Sequence, residues 1–333
     1  MFGFIAKRLI SGFLVVVLIS MAIYALFWYG PRSPALEICR RESNNRCTPE
    51  KLARYEESLG FNNPIASEYA KWAAGLFVGR DITVGTTVIE CPAPCLGISY
   101  RSKVLVFDDM KAKLPATISI AIGASAIYLS LGVLVGVLAA RRRGTLADRA
   151  LVGSTLFLSS VPYYLVALLA VIYLYLITGI FPQPGYAPIL SNPWEWFKGM
   201  LLAWLILGLY TSTTYTRFSR GAMVESLSED YIRTARAKGL TERVVTVRHA
   251  LRSALVPVVT IFGLDFAFLL AGTVFTEQIF DIRGIGKWGL DATYIKDLPV
   301  VQATVLFGSI VIVLANIVVD LVYGVLDPRV RIS

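Results

Sequence analysis

Residues 228–257 read SEDYIRTARAKGLTERVVTVRHALRSALVP. Nearly every third residue is charged, mostly basic, yet long apolar runs flank the stretch. Read at helical period, it divides in two. Ser228 is a candidate N-cap, with Glu229 and Asp230 in the first turn, where the helix dipole favours acids. Ile232, Ala235 and Gly239 then share a small, smooth face, while Arg233, Arg236 and Lys238 project elsewhere. Gly239 ends this helix and Thr241 is placed to cap the next, whose stripe of Val244, Val247, Leu251 and Leu255 leads into an apolar run. Such a helix–glycine–helix is shaped to dock into a partner or to lie on an acidic lipid surface, and the charge pattern by itself leaves both open.

The rest of the chain says what the stretch interrupts. Of 333 residues, 56% are hydrophobic and only 17% charged, with a mean hydropathy of +0.63. A soluble domain carries charge on about a quarter of its residues. Six runs, 9–28, 114–140, 150–177, 199–216, 254–276 and 301–326, approach or exceed the length needed to cross a bilayer. They predict an all-α polytopic membrane protein with six transmembrane helices. Lys7 and Arg8 precede the first run as they would in a secretory signal, but its apolar core is longer than a signal's and no small-x-small cleavage pattern follows. It reads as an anchor.

Basic residues in the loops set the orientation. With six spans, Lys7, Arg8, Arg141, Arg142, Arg143, Arg149, the 217–252 loop, Arg329 and Arg331 share one side. Those segments hold 16 basic and 6 acidic residues, against 16 and 15 on the other side. Both termini are thus expected in the cytoplasm. The net charge of +9 is a topology signal, not a nucleic-acid surface.

This topology puts residues 31–113 outside as a small domain between the N-terminal span (1–30) and a five-span core (114–333). It holds Cys39, Cys47, Cys91 and Cys95. An even count in an oxidising compartment predicts disulfides, most simply Cys39–Cys47 and Cys91–Cys95. CPAPC matches no usual zinc spacing and no histidine lies nearby, so no metal is assigned. Within the segment, TPEKLARYEESLGF predicts a helix capped by Thr48 with Pro49 in its first turn, and IASEYAKWAAGLF a second one.

Gly132 and Gly136 form a G-x-x-x-G pair that lets helices approach closely, and Pro162 falls in the middle of the third run. The 178–199 loop carries an aromatic belt that includes Trp194 and Trp196. G-I-G-K at 284–287 lacks the spacing and the Ser or Thr of a phosphate-binding loop, so no ATPase site is read on this chain.

The motif DYIRTARAKGL…VRHALRSALVPVVT resembles the signature loop of membrane subunits of binding-protein-dependent ABC importers. LPATISIAIGA, RRRGTLADRA, SSVPYYLVALL, AGTVFTEQIFDIRGIGKWGLDATYIKDLPVVQ and NIVVDLVYGVLDPRVR, in order, are similar to the dipeptide, oligopeptide and nickel branch. Arg233-Thr234-Ala235 in place of Glu-Ala-Ala, and Leu251-Arg252-Ser253 in place of Leu-Pro-Asn, resemble the first of the two peptide permeases.

The resemblance implies the type I importer permease fold and alternating access without catalysis by this chain. It implies a coupling helix at Arg233, Thr234, Ala235, Arg236, Ala237, Lys238 and Gly239, seated in a groove of an ATPase subunit. It also implies a second homologous permease, two cytoplasmic ATPase subunits or domains that hold ATP and Mg, and an extracytoplasmic binding protein. Lipid is the remaining partner, and no cofactor is expected on this chain. His249, the single histidine, is expected to hydrogen-bond within the loop.

Asp265, in IFGLDFAFLL, costs on the order of 3 kcal/mol at mid-membrane and so needs a partner or water. With Pro162 it is a candidate for the translocation path. For Asp265 pairing with a side chain of the partner permease, or protonation, is the alternative. Asp320 is read as an anchor of the last helix. Nickel or another small solute on the same machinery is a rival reading, disfavoured by the lack of histidine in the spans. An ion-coupled secondary transporter is the other; it usually shows paired ionisable groups at midplane.

Overall fold

The computed structural model describes residues 2–29, 34–42, 46–84 and 87–326. In chain order the elements are α1 (Phe2–Tyr29), α2 (Pro34–Glu42), α3 (Pro49–Ser58), α4 (Ile65–Val78), β1 (Arg80–Val84), β2 (Thr87–Cys91), α5 (Val106–Arg141), α6 (Leu146–Ser160) and α7 (Tyr163–Ala170). They continue as α8 (Pro193–Ser228), α9 (Asp230–Ala237), α10 (Glu242–Val244), α11 (Leu251–Ala271), α12 (Val274–Ile279), α13 (Ile285–Ile295) and α14 (Leu298–Leu326). Wider π turns, Val171–Ile177 and Val245–Ala250, extend α7 and lead into α11. The fold is predominantly helical. The two strands form one antiparallel hairpin, with Arg80 opposite Cys91 and Ile82 opposite Ile89, a departure from the expected all-α chain.

Four stretches are long and apolar enough to cross a bilayer: Ala6–Leu26, Val106–Arg141, Glu242–Ala271 and Leu298–Leu321. Leu146–Ser160 and Tyr163–Ile177 pass that test only together, and they meet at 89°. Pro162 explains the corner. It has no N–H to continue the α6 ladder and forces Val161 into extended backbone, φ −89° and ψ 131°. The expected fourth span, 199–216, lies inside the unbroken 36-residue α8 but is not among the sufficiently apolar stretches. In its second half every residue from Tyr210 to Thr216 bears a hydroxyl, and much of this stretch is buried against protein. Among the described residues the apolar spans thus number four, or five with the bent pair, where the sequence predicted six. Arg329 and Arg331 lie outside the described residues.

The chain divides into two compact units, Met1–Pro115 with Gly284–Leu314, and Ala116–Arg283 with Ala315–Ser333. In the first, Tyr24 of α1 packs on Tyr69 and Trp72 of α4, with ring centroids 5.5 and 5.9 Å apart, and on Leu306 of α14. Ser20 and Tyr69 share a 2.8 Å hydrogen bond inside this packing. Thr48 accepts from the Lys51 N–H as the N-cap of α3, and Pro49 follows it, as the sequence predicts. Cys39–Cys47 and Cys91–Cys95 are both disulfides. Gly79, at φ +76°, joins α4 to β1; a Cβ there would lie 2.8 Å from the Cys91 carbonyl oxygen. Asp297 is buried, and it accepts from Ser99 Oγ and from the backbone N–H groups of Tyr100 and Arg101.

The second unit is built around α8. Met200, Leu202, Ala203, Trp204 and Leu207 pack with Ile120 and Ala124 of α5 and with Phe280 and Ile282. Gly136 lets α5 lie against α8: a Cβ there would meet Ser219 Cβ at 2.7 Å and the Thr216 carbonyl oxygen at 2.8 Å. The G-x-x-x-G pair therefore joins two helices of one chain. Arg220 of α8 donates to Asp148 of α6 through Nε (2.7 Å) and Nη2 (2.8 Å), and Gly144 N–H adds a third bond to Asp148. Glu277 is fully buried and accepts from Thr117 Oγ1 at 2.8 Å.

Candidate functional site

The basic stretch folds as a compact loop of the second unit. α8 continues through Ser228, whose hydroxyl bonds back to the Glu225 carbonyl; the N-cap of α9 is Glu229, one residue later than expected. α9 ends at Ala237, and Gly239 turns the chain at φ +77° with nothing within 4 Å of the place a Cβ would occupy. This glycine serves the left-handed turn, not close approach. Thr241 precedes α10 as its N-cap without a side-chain cap bond.

The small face of α9 points inward. Ile232 is 0% and Ala235 7% exposed; they pack with Ala140 of α5, Met223 of α8, Ala254 of α11 and, from the π turn, Val245 and Ala250. Burying the isoleucine side chain stabilises this seat by about 1.5–3 kcal/mol. Ser226 Oγ donates to the Ala250 carbonyl at 2.9 Å and meets Tyr231 Oη at 2.9 Å, tying the end of α8 to the loop's return. The surface left for a partner is the opposite one: Tyr231, Arg233, Thr234, Arg236, Ala237, Lys238 and Leu240 are all exposed.

Arg236 Nε donates to Glu242 Oε1 at 2.7 Å across the Gly239 turn. Arg233 lies 3.3 Å from Asp230, with both side chains largely in solvent, so this pair adds little stability. It does hold the guanidinium on the outer crest. His249 sits half-buried in the π turn, where no hydrogen bond of its side chain is found among the described residues.

The remaining predicted residues are not brought together with this loop. Asp265 of α11 accepts a 2.8 Å hydrogen bond from Tyr215 of α8, whose ring lies 4.6 Å from that of Tyr128. Its partner is thus a tyrosine of its own chain, a possibility the sequence reading did not weigh. Pro162 stands at the corner between α6 and α7. Among the described residues, no group of three His, Cys, Asp or Glu side chains is arranged to hold a metal ion. The sequence reading also missed the Arg220–Asp148 link and the Glu277–Thr117 bond. The acids of RRRGTLADRA and VFTEQIF were visible, but not which distant helix would supply their partners.

The chain that carries this loop between its apolar helices matches a known family along its sequence. Residues 132–332 match the family "Binding-protein-dependent transport system inner membrane component", and residues 1–121 match the N-terminal module of such membrane components. The chain belongs to this family and is a multi-pass membrane protein. Its relatives include a Brucella abortus (strain 2308) protein described as a peptide transport system permease, 35% identical over 331 residues, covering 99% of each chain. The dipeptide transport system permease protein DppB of Escherichia coli (strain K12) is 32% identical, again over 99% of each.

Proposed function

We propose that this chain is the permease subunit of an ATP-driven importer of di- or oligopeptides, one half of a pore completed by a second, homologous permease. The observation that carries this reading is the end-to-end similarity to peptide permeases, which includes the 31–113 segment and the α9 loop. In this reading α8 supplies the sixth crossing, its hydroxyl-rich half sheltered by protein instead of facing lipid. Both termini and the loop 217–252 lie in the cytoplasm, and 31–113 lies outside, where its disulfides suit an oxidising compartment.

The crest of α9, from Arg233 to Gly239, docks on one of two cytoplasmic ATPase subunits, which bind ATP and Mg. An external binding protein delivers the peptide. This chain contributes movement and no covalent chemistry. His249 and the Asp265–Tyr215 pair belong to the helices that move.

Ala237→Glu tests the coupling directly, because it places bulk and charge on the exposed end of α9 without touching Ile232, Ala235 or the Gly239 turn. Gly239→Glu would confound the test with backbone strain at positive φ. Purified in mild detergent, the parent chain should bring the ATPase subunits with it. The A237E chain should retain the second permease and lose the ATPases, and ATP-dependent peptide uptake in proteoliposomes should fall at least tenfold. Uptake without ATP by the chain alone would replace this reading with an ion-coupled carrier.

A further inference from the structure

Asp265 is an acid of the second unit to which the proposed function gives no task. It stands on α11, where no Lys, Arg or His follows Arg252. The apolar runs 114–140, 150–177 and 199–216 and the segment 315–326, which supply the other long helices of this unit, contain none either. The chain therefore places no cation of its own at this depth. Only one carboxylate oxygen is engaged among the described residues: Tyr215 Oη donates to Oδ2 at 2.8 Å, and Oδ1 accepts no hydrogen bond. Asp265 keeps part of its surface open, whereas Tyr215 is 1% exposed. A carboxylate turned toward acyl chains is costly, so that open side faces a polar path or a partner.

The surroundings are aromatic. The Tyr215 ring packs on that of Tyr128 with centroids 4.6 Å apart, which holds the donor in place. Tyr128 in turn meets Phe262 at 6.3 Å, and Phe262 meets Phe266 at 5.5 Å. Phe262 and Phe266 are both partly exposed, and at helical period they stand about 60° and 100° around α11 from Asp265, on one flank of it. Among the described residues no cluster of acids is arranged to hold a metal ion. A single half-engaged carboxylate beside aromatic rings suits an organic ammonium instead: the acid supplies charge and an acceptor, and the rings attract the cation and pack on its carbons.

We propose that Asp265 receives a primary ammonium group of the transported peptide, with Phe262 and Phe266 beside it and Tyr215 as the positioning residue that fixes the carboxylate. The proposal rests on the peptide-importer reading and deepens it, because it names the substrate group that is recognised inside the membrane. Its chemistry is shared by a peptide N-terminus and a lysine side chain.

Equilibrium binding to the complete transporter in nanodiscs, with the external binding protein omitted, tests it with three probes: alanyl-alanine, N-acetyl-alanyl-alanine and N-acetyl-alanyl-lysine. Alanyl-alanine should bind saturably, and its acetylated form, which lacks the ammonium, about tenfold to a hundredfold more weakly. Asp265→Asn, which keeps an acceptor for Tyr215 and removes the charge, should erase that difference, and Asp265→Glu should restore part of it. Phe262→Leu should weaken alanyl-alanine about threefold. If N-acetyl-alanyl-lysine binds like alanyl-alanine, the site takes either ammonium; if it binds like the acetylated dialanine, the site takes the peptide N-terminus. No saturation by about 10 mM, beyond the millimolar range of weak sites, equal binding of the acetylated and free dialanine, or a preference unmoved by Asp265→Asn would each overturn the proposal. So would loss of the second permease from the purified Asp265→Asn complex, which would make the acid an interface anchor. ATP-driven uptake by the parent complex in proteoliposomes, with the binding protein restored, separates the two readings: a parent without uptake removes the importer and this site with it, whereas uptake with binding indifferent to Asp265 removes this site alone.

Discussion

In the second unit Arg220 reaches Asp148 through two hydrogen bonds of 2.7 and 2.8 Å, and the acid takes a third from Gly144 N–H. In the first unit Arg80 crosses Gly75 with its Nε enclosed and unbonded. The same Nε–H is bonded in one region and enclosed without a partner in the other. The first arrangement fixes the start of α6 to α8 and so belongs to architecture. The second leaves an enclosed N–H unbonded, which costs the fold about 1–3 kcal/mol.

Substitutions at the two arginines bear on this contrast from opposite sides. Arg220→Met should have the largest effect, because it leaves Asp148, with a side chain only 5% exposed, without its cation. Thermal unfolding followed by circular dichroism in detergent should show a clear fall in melting temperature. Combining it with Asp148→Asn should recover part of that loss. An Arg220→Met chain as stable as the parent would break the contrast.

Arg80→Met should move the melting temperature little, by about a degree or two in either direction, since the relief from desolvating a half-buried charge offsets the lost attraction of Glu68. A fall as large as that of Arg220→Met would mean that Arg80 is structural. Smallest of all, Arg236→Gln removes a pair whose side chains are 41% and 59% exposed. Its melting temperature should match the parent within the scatter of repeat scans. A measurable fall would show the turn at Gly239 to be held by that pair and not by its backbone.

How far the sequence foretold this structure follows from the range of each interaction. The Thr48 cap, the end of α9 at Gly239, the corner at Pro162 and both disulfides rest on neighbours at most eight residues apart, and composition reveals them. Hydropathy likewise located the apolar helices. The run 199–216 lies in a helix sheltered by protein, where hydroxyls dilute its apolar character. The hairpin 80–91 escaped because its strands are only five residues each, too short for their alternation to stand out.

What stayed invisible joins residues far apart. Tyr215 and Asp265 are separated by 50 positions, Arg220 and Asp148 by 72, and Thr117 and Glu277 by 160. No local period encodes such meetings. The orientation of α9 is the instructive case. Ile232 and Ala235 of its small face were identified, while Gly239, grouped with them, lies at the exposed turn; periodicity cannot say whether such a face meets the chain's own core or another subunit. Packing assigns it to the core.

That seat gives α9 three legs: Ala140 stands on α5, Met223 on α8 and Ala254 on α11. A push on the crest cannot swing the short helix alone without pulling Ile232 out of a site it fills completely. Force applied at Arg233 or Lys238 is therefore shared among the ends of three long helices at once. In mechanical terms the loop is a footplate: what steps on it moves the frame.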